Sequence, residues 1–139
     1  MLNFSSNAVE VSAWSACVGR NDWSKNKVVL VTGSATGVGR ACAVKFASNG
    51  FNVVVNYPGA DKDEAEHTVG LVAEKGGKAL LAKCDVSLNE EVVAMIADIE
   101  AAFGRLDVVV NAAGLTHFVP HKNLDTLSDA QWDATFAVN

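Results

Sequence analysis

The sequence predicts an α/β protein built on a parallel β-sheet, and two patterns carry this prediction. Short apolar runs rich in valine recur along the chain, and each is followed by a stretch with helical spacing or by a loop. Strands that alternate with helices of about ten or more residues are typical of right-handed βαβ crossovers. From residue 27 onward, the predicted order is therefore β-α-β-α-β-α-β-loop-α.

The first βαβ unit is predicted over residues 27–55. Val28–Val31 is a continuous apolar run, as expected for a strand that is covered on both faces. A glycine-rich turn over residues 33–39 leads into an alanine-rich helix over residues 40–48, which Asn49-Gly50 ends. Residues 51–55 form the second buried strand.

Helix caps and apolar spacing predict the next elements. Asp61, with Glu64 three residues later, starts a second helix that ends at Gly76-Gly77. Residues 78–84 form the third strand. Ser87 and Glu90 form a capping-box pattern at the start of a third helix. The apolar face of that helix consists of Val92, Met95, Ile96, Ile99 and Phe103.

The last part of the pattern is a strand, a loop and a helix. Gly104 ends the third helix, and residues 106–110 form the fourth strand. A loop with Pro120 follows. Residues 128–131 open the final helix, which carries Trp132 and Phe136 on one side.

Composition bounds the size and the partners of the protein. The chain has 139 residues, which is the size of one domain, and a net charge of −5 with a pI near 5. This balance argues against a nucleic-acid surface or a basic membrane patch. The longest apolar run, residues 92–97, is too short to span a bilayer.

The three cysteines, Cys17, Cys42 and Cys84, are widely spaced and form no metal motif. They are expected to be reduced thiols in a cytoplasmic protein, and no metal site is predicted. His117 and His121 are four residues apart, but Pro120 lies between them, so a surface loop is favoured over a metal site.

The first 26 residues differ from the rest of the chain. Val11, Trp14 and Val18 are the only residues there with helical spacing. We expect residues 1–26 to be a poorly ordered extension or a loosely docked helix. Residues 27–139 are expected to form a single domain.

The glycine-rich turn is the strongest functional signal in the sequence. Thr32-Gly33-Ser34-Ala35-Thr36-Gly37-Val38-Gly39 follows the first strand directly and opens the first helix. Glycines permit the sharp turn, and the helix N-terminus presents unpaired amides to a pyrophosphate. The spacing of its glycines, GxxxGxG, differs from the GxGxxG of the common dinucleotide-binding motif. It also differs from the phosphate loop GxxxxGK[ST], because this turn has no lysine at the corresponding position.

Four features together resemble the classical short-chain dehydrogenases/reductases, the type that includes 3-oxoacyl-carrier-protein reductases. They are the turn from Thr32 to Gly39, Asp85-Val86 after the third strand, Asn111-Ala112-Ala113-Gly114 after the fourth, and the segment from Trp132 to Asn139. The third feature resembles the family's NNAG motif, with Ala112 in place of its second asparagine. The resemblance covers residues 27–139, the cofactor-binding half of a typical member.

The resemblance implies a Rossmann-type doubly wound parallel sheet with the cofactor at the carboxyl ends of its strands. The sheet would be truncated to four strands, which lie in the order 3-2-1-4. Asp85 and Val86 would contact the adenine, and Asn139 corresponds to the family's catalytic helix asparagine. The other implied cofactor-binding residues line the pyrophosphate or flank the ribose and nicotinamide: Gly33, Ser34, Thr36, Gly37, Val38, Gly39, Asn111, Ala112 and Gly114.

The choice of cofactor depends on the end of the second strand. An acidic residue there usually binds the ribose hydroxyls of NAD and repels a 2′-phosphate. Asn56 occupies that position, so NADP(H) is favoured over NAD(H). The sequence supplies no evident cation for the phosphate unless Arg40 or Lys62 reaches it.

The resemblance also shows what the chain lacks. The family's proton donor is the tyrosine of Tyr-x-x-x-Lys, assisted by a serine. The only tyrosine here is Tyr57, and Asp61 stands four residues later. Without that segment, we expect cofactor binding with no appreciable turnover from this chain alone. Hydride transfer on a small carbonyl or alcohol substrate would then belong to a full-length form.

Two functional hypotheses remain open from the sequence. The first, which we favour, is the cofactor-binding half of a short-chain oxidoreductase. The second is a non-catalytic nucleotide-binding or interaction protein. It would act by self-association or hetero-association, because the fourth strand would leave an apolar edge exposed. The exposed edge leaves a homo-oligomer open as a partner state, and the sequence alone does not determine the oligomeric state.

Overall fold

The structure is a computed structural model that describes residues 24–139, so the prediction for residues 1–26 lies almost wholly outside the described residues. The sheet strands are β1 (Val28–Val31), β2 (Asn52–Tyr57), β3 (Ala79–Lys83) and β4 (Val108–Val110). The helices are α1 (Gly37–Ser48), α2 (Lys62–Glu74), α3 (Asn89–Phe103) and α4 (Asp129–Val138), with a 3-10 helix at His121–Thr126.

The four strands form one parallel sheet in the order β3-β2-β1-β4. Val31 pairs with Val55 of β2 on one side and with Val110 of β4 on the other. This confirms the predicted doubly wound, Rossmann-type sheet with strand order 3-2-1-4. All four residues of β1 are buried, as expected for the central strand of a sheet that is covered on both faces.

Helices cover the two faces of the sheet and divide the core into two layers. On one face, Val29, Val53 and Val55 pack with alanines of α1 and with Val72 of α2. On the other face, residues of β1, β2 and β3 pack with α3, whose Met95 and Ile99 are buried. Ile96, which the sequence placed on the same helical face, is instead 38% exposed.

Element boundaries differ from the prediction where local hydrogen bonds extend or shorten an element. α1 begins at Gly37 rather than at Arg40, so two glycines of the turn lie within its first turn. β2 continues to Tyr57, because Tyr57 still pairs with Lys83 of β3. β3 spans Ala79–Lys83 and β4 only Val108–Val110, both shorter than predicted.

The three predicted helix N-caps, those of α2, α3 and α4, differ in how they compare with the structure. The capping box of α4 is present, with Ser128 and Gln131 bonded reciprocally. Asp61 is the N-cap of α2, but its side chain makes no capping bond. The predicted Ser87 capping box is wrong: α3 begins at Asn89, and the Ser87 hydroxyl donates to the Asp85 carboxylate at 2.7 Å. The Asp85 carboxylate, only two residues earlier in the chain, is a nearer partner for this hydroxyl than the backbone of α3.

The β4 side of the sheet is open in the part of the chain that the structure describes. Val109 is 51% exposed, and α4 has no buried residue. Trp132 and Phe136 stack on one side of α4, as predicted, with ring centroids 6.0 Å apart. Within residues 24–139, no helix has the length and apolar character needed to cross a membrane.

Candidate functional site

A cleft of about 490 Å³ lies at the carboxyl ends of the strands. This is where open α/β sheets bind ligands. It is bounded by the β1–α1 turn, the ends of β2 and β3, and the loop after β4. Its lining consists of Gly33, Ala35, Thr36, Gly37, Val38, Gly39, Asn56, Pro58, Asp61, Cys84, Asp85, Val86, Ala112, Ala113, Gly114, Leu115 and Val138.

The N-terminus of α1 faces this cleft and is suited to an anion. The amides of Gly37, Val38 and Gly39 are among those that an α-helix leaves without intrahelical acceptors. The Thr36 side chain makes no capping bond to them, and the first turn contains no acidic residue. Among the α-helices of residues 24–139, α1 alone lacks an acid there. Its positive end is therefore free for a phosphate.

The glycines of the turn have distinct roles. A Cβ at Gly39 would lie 2.4 Å from the Gly33 carbonyl oxygen, so helix and turn can meet only without one. A Cβ at Gly33, whose φ is +61°, would lie 2.7 Å from Ala113 Cα. Gly37 has a φ of +56° and open space where a Cβ would be. This open surface lets a ligand approach the backbone closely, which fits a pyrophosphate.

Arg40 holds the glycine-rich turn against α2. Its Nε donates to the Ala35 carbonyl and to the Thr68 hydroxyl, both at 2.9 Å. Its second terminal nitrogen pairs with the Glu64 carboxylate, and the Arg40 contact holds the pKa of Glu64 below its usual value. Arg40 therefore connects the turn to α2. Arg40 is not among the residues that line the cleft.

Asn56 lines the cleft, and its side-chain polar atoms are bonded within the protein. Its side chain is 1% exposed, and its Oδ1 accepts the Gly33 amide at 3.1 Å. Its Nδ2 donates to the Cys84 carbonyl at 2.9 Å and to the Ala82 carbonyl at 3.3 Å. Asn56 therefore joins β3 to the glycine-rich turn, with its polar atoms engaged by the protein.

Ser34 is also turned inward. Its side chain is fully buried, its hydroxyl donates to the Val31 carbonyl at 2.7 Å, and its oxygen accepts the Asn56 amide at 3.0 Å. The prediction that Ser34 lines the pyrophosphate does not fit this orientation. Its hydroxyl instead holds the turn against β2.

Asp85 and Val86 lie at the end of β3, on the predicted adenine side of the cleft. The Asp85 carboxylate accepts the hydroxyl and the amide of Ser87, which lowers the pKa of Asp85. Burial raises the pKa of the neighbouring Cys84 thiol, which favours its neutral form. No group of three or more potential metal-ligating side chains occurs within residues 24–139.

The loop after β4 is held by two polar side chains. The Thr32 hydroxyl oxygen accepts the amides of Ala112 and Ala113, each at 3.0 Å. The Asn139 amide bonds with both backbone groups of Leu115, at 2.8 and 3.1 Å. Asn139 thus fixes the loop whose backbone borders the cleft, but it is not itself in the lining.

Most of the predicted cofactor-binding residues meet in the cleft, and Ser34, Asn111 and Asn139 are not in its lining. The sequence reasoning missed Ala35, Pro58, Cys84, Ala113, Leu115 and Val138 as lining residues, and took Asp61 only as a helix cap. All except Val138 follow a strand or end one, so proximity to a strand's carboxyl end was the available signal.

A sequence model described as "short chain dehydrogenase" matches residues 27–139. The chain belongs to the short-chain dehydrogenase family. This confirms the resemblance inferred from the glycine turn and the three later motifs.

Two relatives show how much of the family the chain represents. It is 38% identical over 114 residues to a 3-oxoacyl-(acyl-carrier-protein) reductase FabG of Staphylococcus epidermidis, covering 82% of this chain and 45% of the reductase. It is 38% identical over 104 residues to the short-chain dehydrogenase/reductase homolog YusS of Bacillus subtilis, covering 75% of this chain and 94% of YusS. The chain thus spans about half of FabG but nearly all of YusS.

A solved short-chain dehydrogenase structure is similar in fold. It is a metagenomic short-chain oxidoreductase in complex with NADP, 34% identical, with a TM-score of 0.73. The match covers 82% of this chain and 50% of that one.

Proposed function

We propose that residues 27–139 bind NADP(H) in the cleft as the cofactor-binding half of a short-chain oxidoreductase. The observation that carries this proposal is the N-terminus of α1, which is free of acids and of capping side chains and faces the cleft. The open surface at Gly37 and the tight packing at Gly39 fit the same ligand.

Different residues of the chain would bind different parts of the cofactor along the cleft. The amides of Gly37, Val38 and Gly39 would bind the pyrophosphate. Asp85 and Val86 would border the adenine, while the backbone of residues 112–114 would flank the ribose and nicotinamide. Arg40, Asn56 and Thr32 would hold these elements in place. When bound, NADPH would supply a hydride to a carbonyl carbon, and NADP+ would accept one from an alcohol carbon.

The proton donor is proposed to come from outside these 139 residues. Tyr57, the only tyrosine of the sequence, is 5% exposed and packs in the core between sheet and helices. It is therefore not available to a substrate oxygen. We expect the 139-residue chain to bind cofactor but to leave NADPH unoxidised when a 3-oxoacyl thioester, the substrate class in the FabG name, is added.

A preference for NADPH over NADH is part of the proposal. The end of β2 carries no carboxylate, since Asn56, Tyr57 and Pro58 are neutral. The related solved structure holds NADP, which agrees with this preference. A reducing, cytoplasmic setting is also proposed, because Cys42 and Cys84 are free thiols.

Self-association through the β4 side is proposed as well. Val109 is 51% exposed on the edge strand, and Phe118 and Phe136 are 96% and 75% exposed. Such an edge with apolar neighbours favours pairing with another chain. Analytical ultracentrifugation of the 139-residue chain should show a dimer or larger species, and a stable monomer would contradict this part.

The test of the cofactor site separates binding from folding. Val38 is 76% exposed at the positive end of α1. Val38→Asp should raise the free energy of unfolding of the unliganded chain by about 0.5 kcal/mol through the helix dipole. The same carboxylate should repel the pyrophosphate and abolish the thermal stabilisation by NADPH.

The matched control is Val93→Asp, which adds the same charge to α3 at a position that is 62% exposed and outside the cleft lining. It should keep the ligand response of the unmodified chain, which is about 2.7 kcal/mol at a hundred times the dissociation constant. If Val38→Asp responds to NADPH as Val93→Asp does, the cofactor is not bound at this helix.

A further inference from the structure

A 2′-phosphate requires a cation, and the two that the sequence offered are engaged elsewhere. Arg40 is bonded to Ala35, Thr68 and Glu64. Lys62 pairs with Glu66 at 3.3 Å on the outer surface of α2. The cleft lining itself contains two acids, Asp61 and Asp85, and no lysine or arginine. The proposed preference for NADPH therefore needs another positive charge at this end of the cleft.

Lys83 is placed to supply it. It is the last residue of β3 and pairs in register with Tyr57, the last residue of β2. It therefore lies at the carboxyl edge of the sheet, where the cleft is. Its side chain is exposed, and within residues 24–139 its ammonium forms none of the ion pairs.

The β2–α2 loop leaves room for this lysine. Gly59 has a φ of +142°, and a Cβ there would lie 3.2 Å from Lys83 Cε and 4.0 Å from Lys83 Nζ. The lysine side chain therefore lies against the backbone of the loop. The loop residues on both sides, Pro58 and Asp61, line the cleft. Lys83 is not itself in the lining, but its side chain lies against the loop that contributes Pro58 and Asp61 to the cleft.

We infer that Lys83 is the cofactor-specificity residue of this chain, binding the 2′-phosphate of NADP(H) across Gly59. This inference rests on the proposed function, because it assumes that the adenosine lies between the ends of β2 and β3. A flexible lysine offers a mobile point charge to a phosphate, and Gly59 keeps the path to the cleft open.

The test uses two probes that differ only in the 2′-phosphate: adenosine 2′,5′-bisphosphate and adenosine 5′-monophosphate. Titration calorimetry on the 139-residue chain at low ionic strength should give at least about tenfold tighter binding of the bisphosphate, as expected for one charge-assisted contact. Lys83→Gln should remove about tenfold of that preference and leave monophosphate affinity unchanged. Lys83→Arg should retain the preference.

The control is Lys78→Gln, which removes the same charge just before the other end of β3. It should bind both probes as the unmodified chain does. If Lys83→Gln keeps the full preference, or if the unmodified chain binds both probes equally, the inference about Lys83 is overturned while the cofactor site stands. If the unmodified chain binds neither probe, the proposed cofactor site fails, and the inference fails with it.

Discussion

Replacing Asn56 with aspartate tests the structural role of this side chain, which bonds the glycine-rich turn to the end of β3. By sequence logic alone, a carboxylate at the end of the second strand should turn the cofactor preference towards NADH. In the structure, the change instead puts a carboxylate at a site that is 1% exposed. It faces the carbonyls of Cys84 and Ala82, which lie 2.9 and 3.3 Å from Nδ2 of the present asparagine.

The magnitude follows from the bonds that change. Asn56→Asp keeps an acceptor for the Gly33 amide but removes both donations to β3. Each lost bond costs about 1 kcal/mol, and leaving a buried carboxylate against two carbonyl oxygens costs at least as much again. We expect the free energy of unfolding to fall by about 4 kcal/mol at neutral pH.

The pH dependence of this loss has a defined sign. Burial and the facing carbonyls should raise the pKa of the new carboxyl above its unfolded-state value. The part of the penalty that comes from ionisation is therefore absent where the carboxyl is protonated in both states, and it grows as the pH rises towards the folded-state pKa. The variant should lose less stability at pH 5 than at pH 7.5.

Urea unfolding monitored by circular dichroism measures the effect, with Asn52→Asp as the matched control. Asn52 begins the same strand and is only partly buried, so the same change in charge should cost less than about 0.5 kcal/mol there. Equal stabilities of the two variants would refute the role assigned to Asn56. So would a gain in NADH preference with unchanged stability.

Two further predictions concern the turn and β1. Gly39→Ala should destabilise the chain by at least about 2 kcal/mol in urea unfolding, because its Cβ would meet a backbone oxygen at 2.4 Å. Gly70→Ala, at an exposed position of α2 with nothing within 4 Å of the new Cβ, should instead stabilise the chain by about 0.5 kcal/mol. Similar effects of both changes would contradict the close packing at Gly39. Asp107, whose pKa is lowered by Arg105 and by the Val28 amide, stabilises the fold above its ordinary pKa and loses this contribution as the pH falls. In Asp107→Asn, the free energy of unfolding should therefore fall less steeply as the pH is lowered below neutrality. An unchanged pH dependence would show that the Asp107 carboxyl does not contribute to it.

The sheet and the glycine turn were predictable because their signals are local. β-branched runs such as Val28–Val31 predict buried strands, and the turn that follows must present a helix N-terminus to the cleft. The strand order 3-2-1-4 required the family resemblance as well. Boundaries were less predictable, since β2 extends to Tyr57 only because β3 supplies pairing partners there.

The roles of individual polar side chains were harder to predict because their partners lie far away in sequence. Asn56 and Ser34 were assigned to the cofactor, but bonds between residues more than twenty positions apart engage the side chains of both within the fold. Arg40 was a candidate for the phosphate, but Glu64 and Thr68, 24 and 28 residues later, engage it. Lys83 was overlooked because its position beside Gly59 depends on the pairing of β2 with β3.

Titration of the isotope-labelled 139-residue chain with NADPH, followed by amide nuclear magnetic resonance, tests the central claim most directly. We predict saturable shifts of the amide signals of Gly37, Val38 and Gly39, with those of Val93 and Ile96 on α3 unchanged. Absence of any saturable shift, or shifts confined to α3, would contradict a cofactor site at the N-terminus of α1.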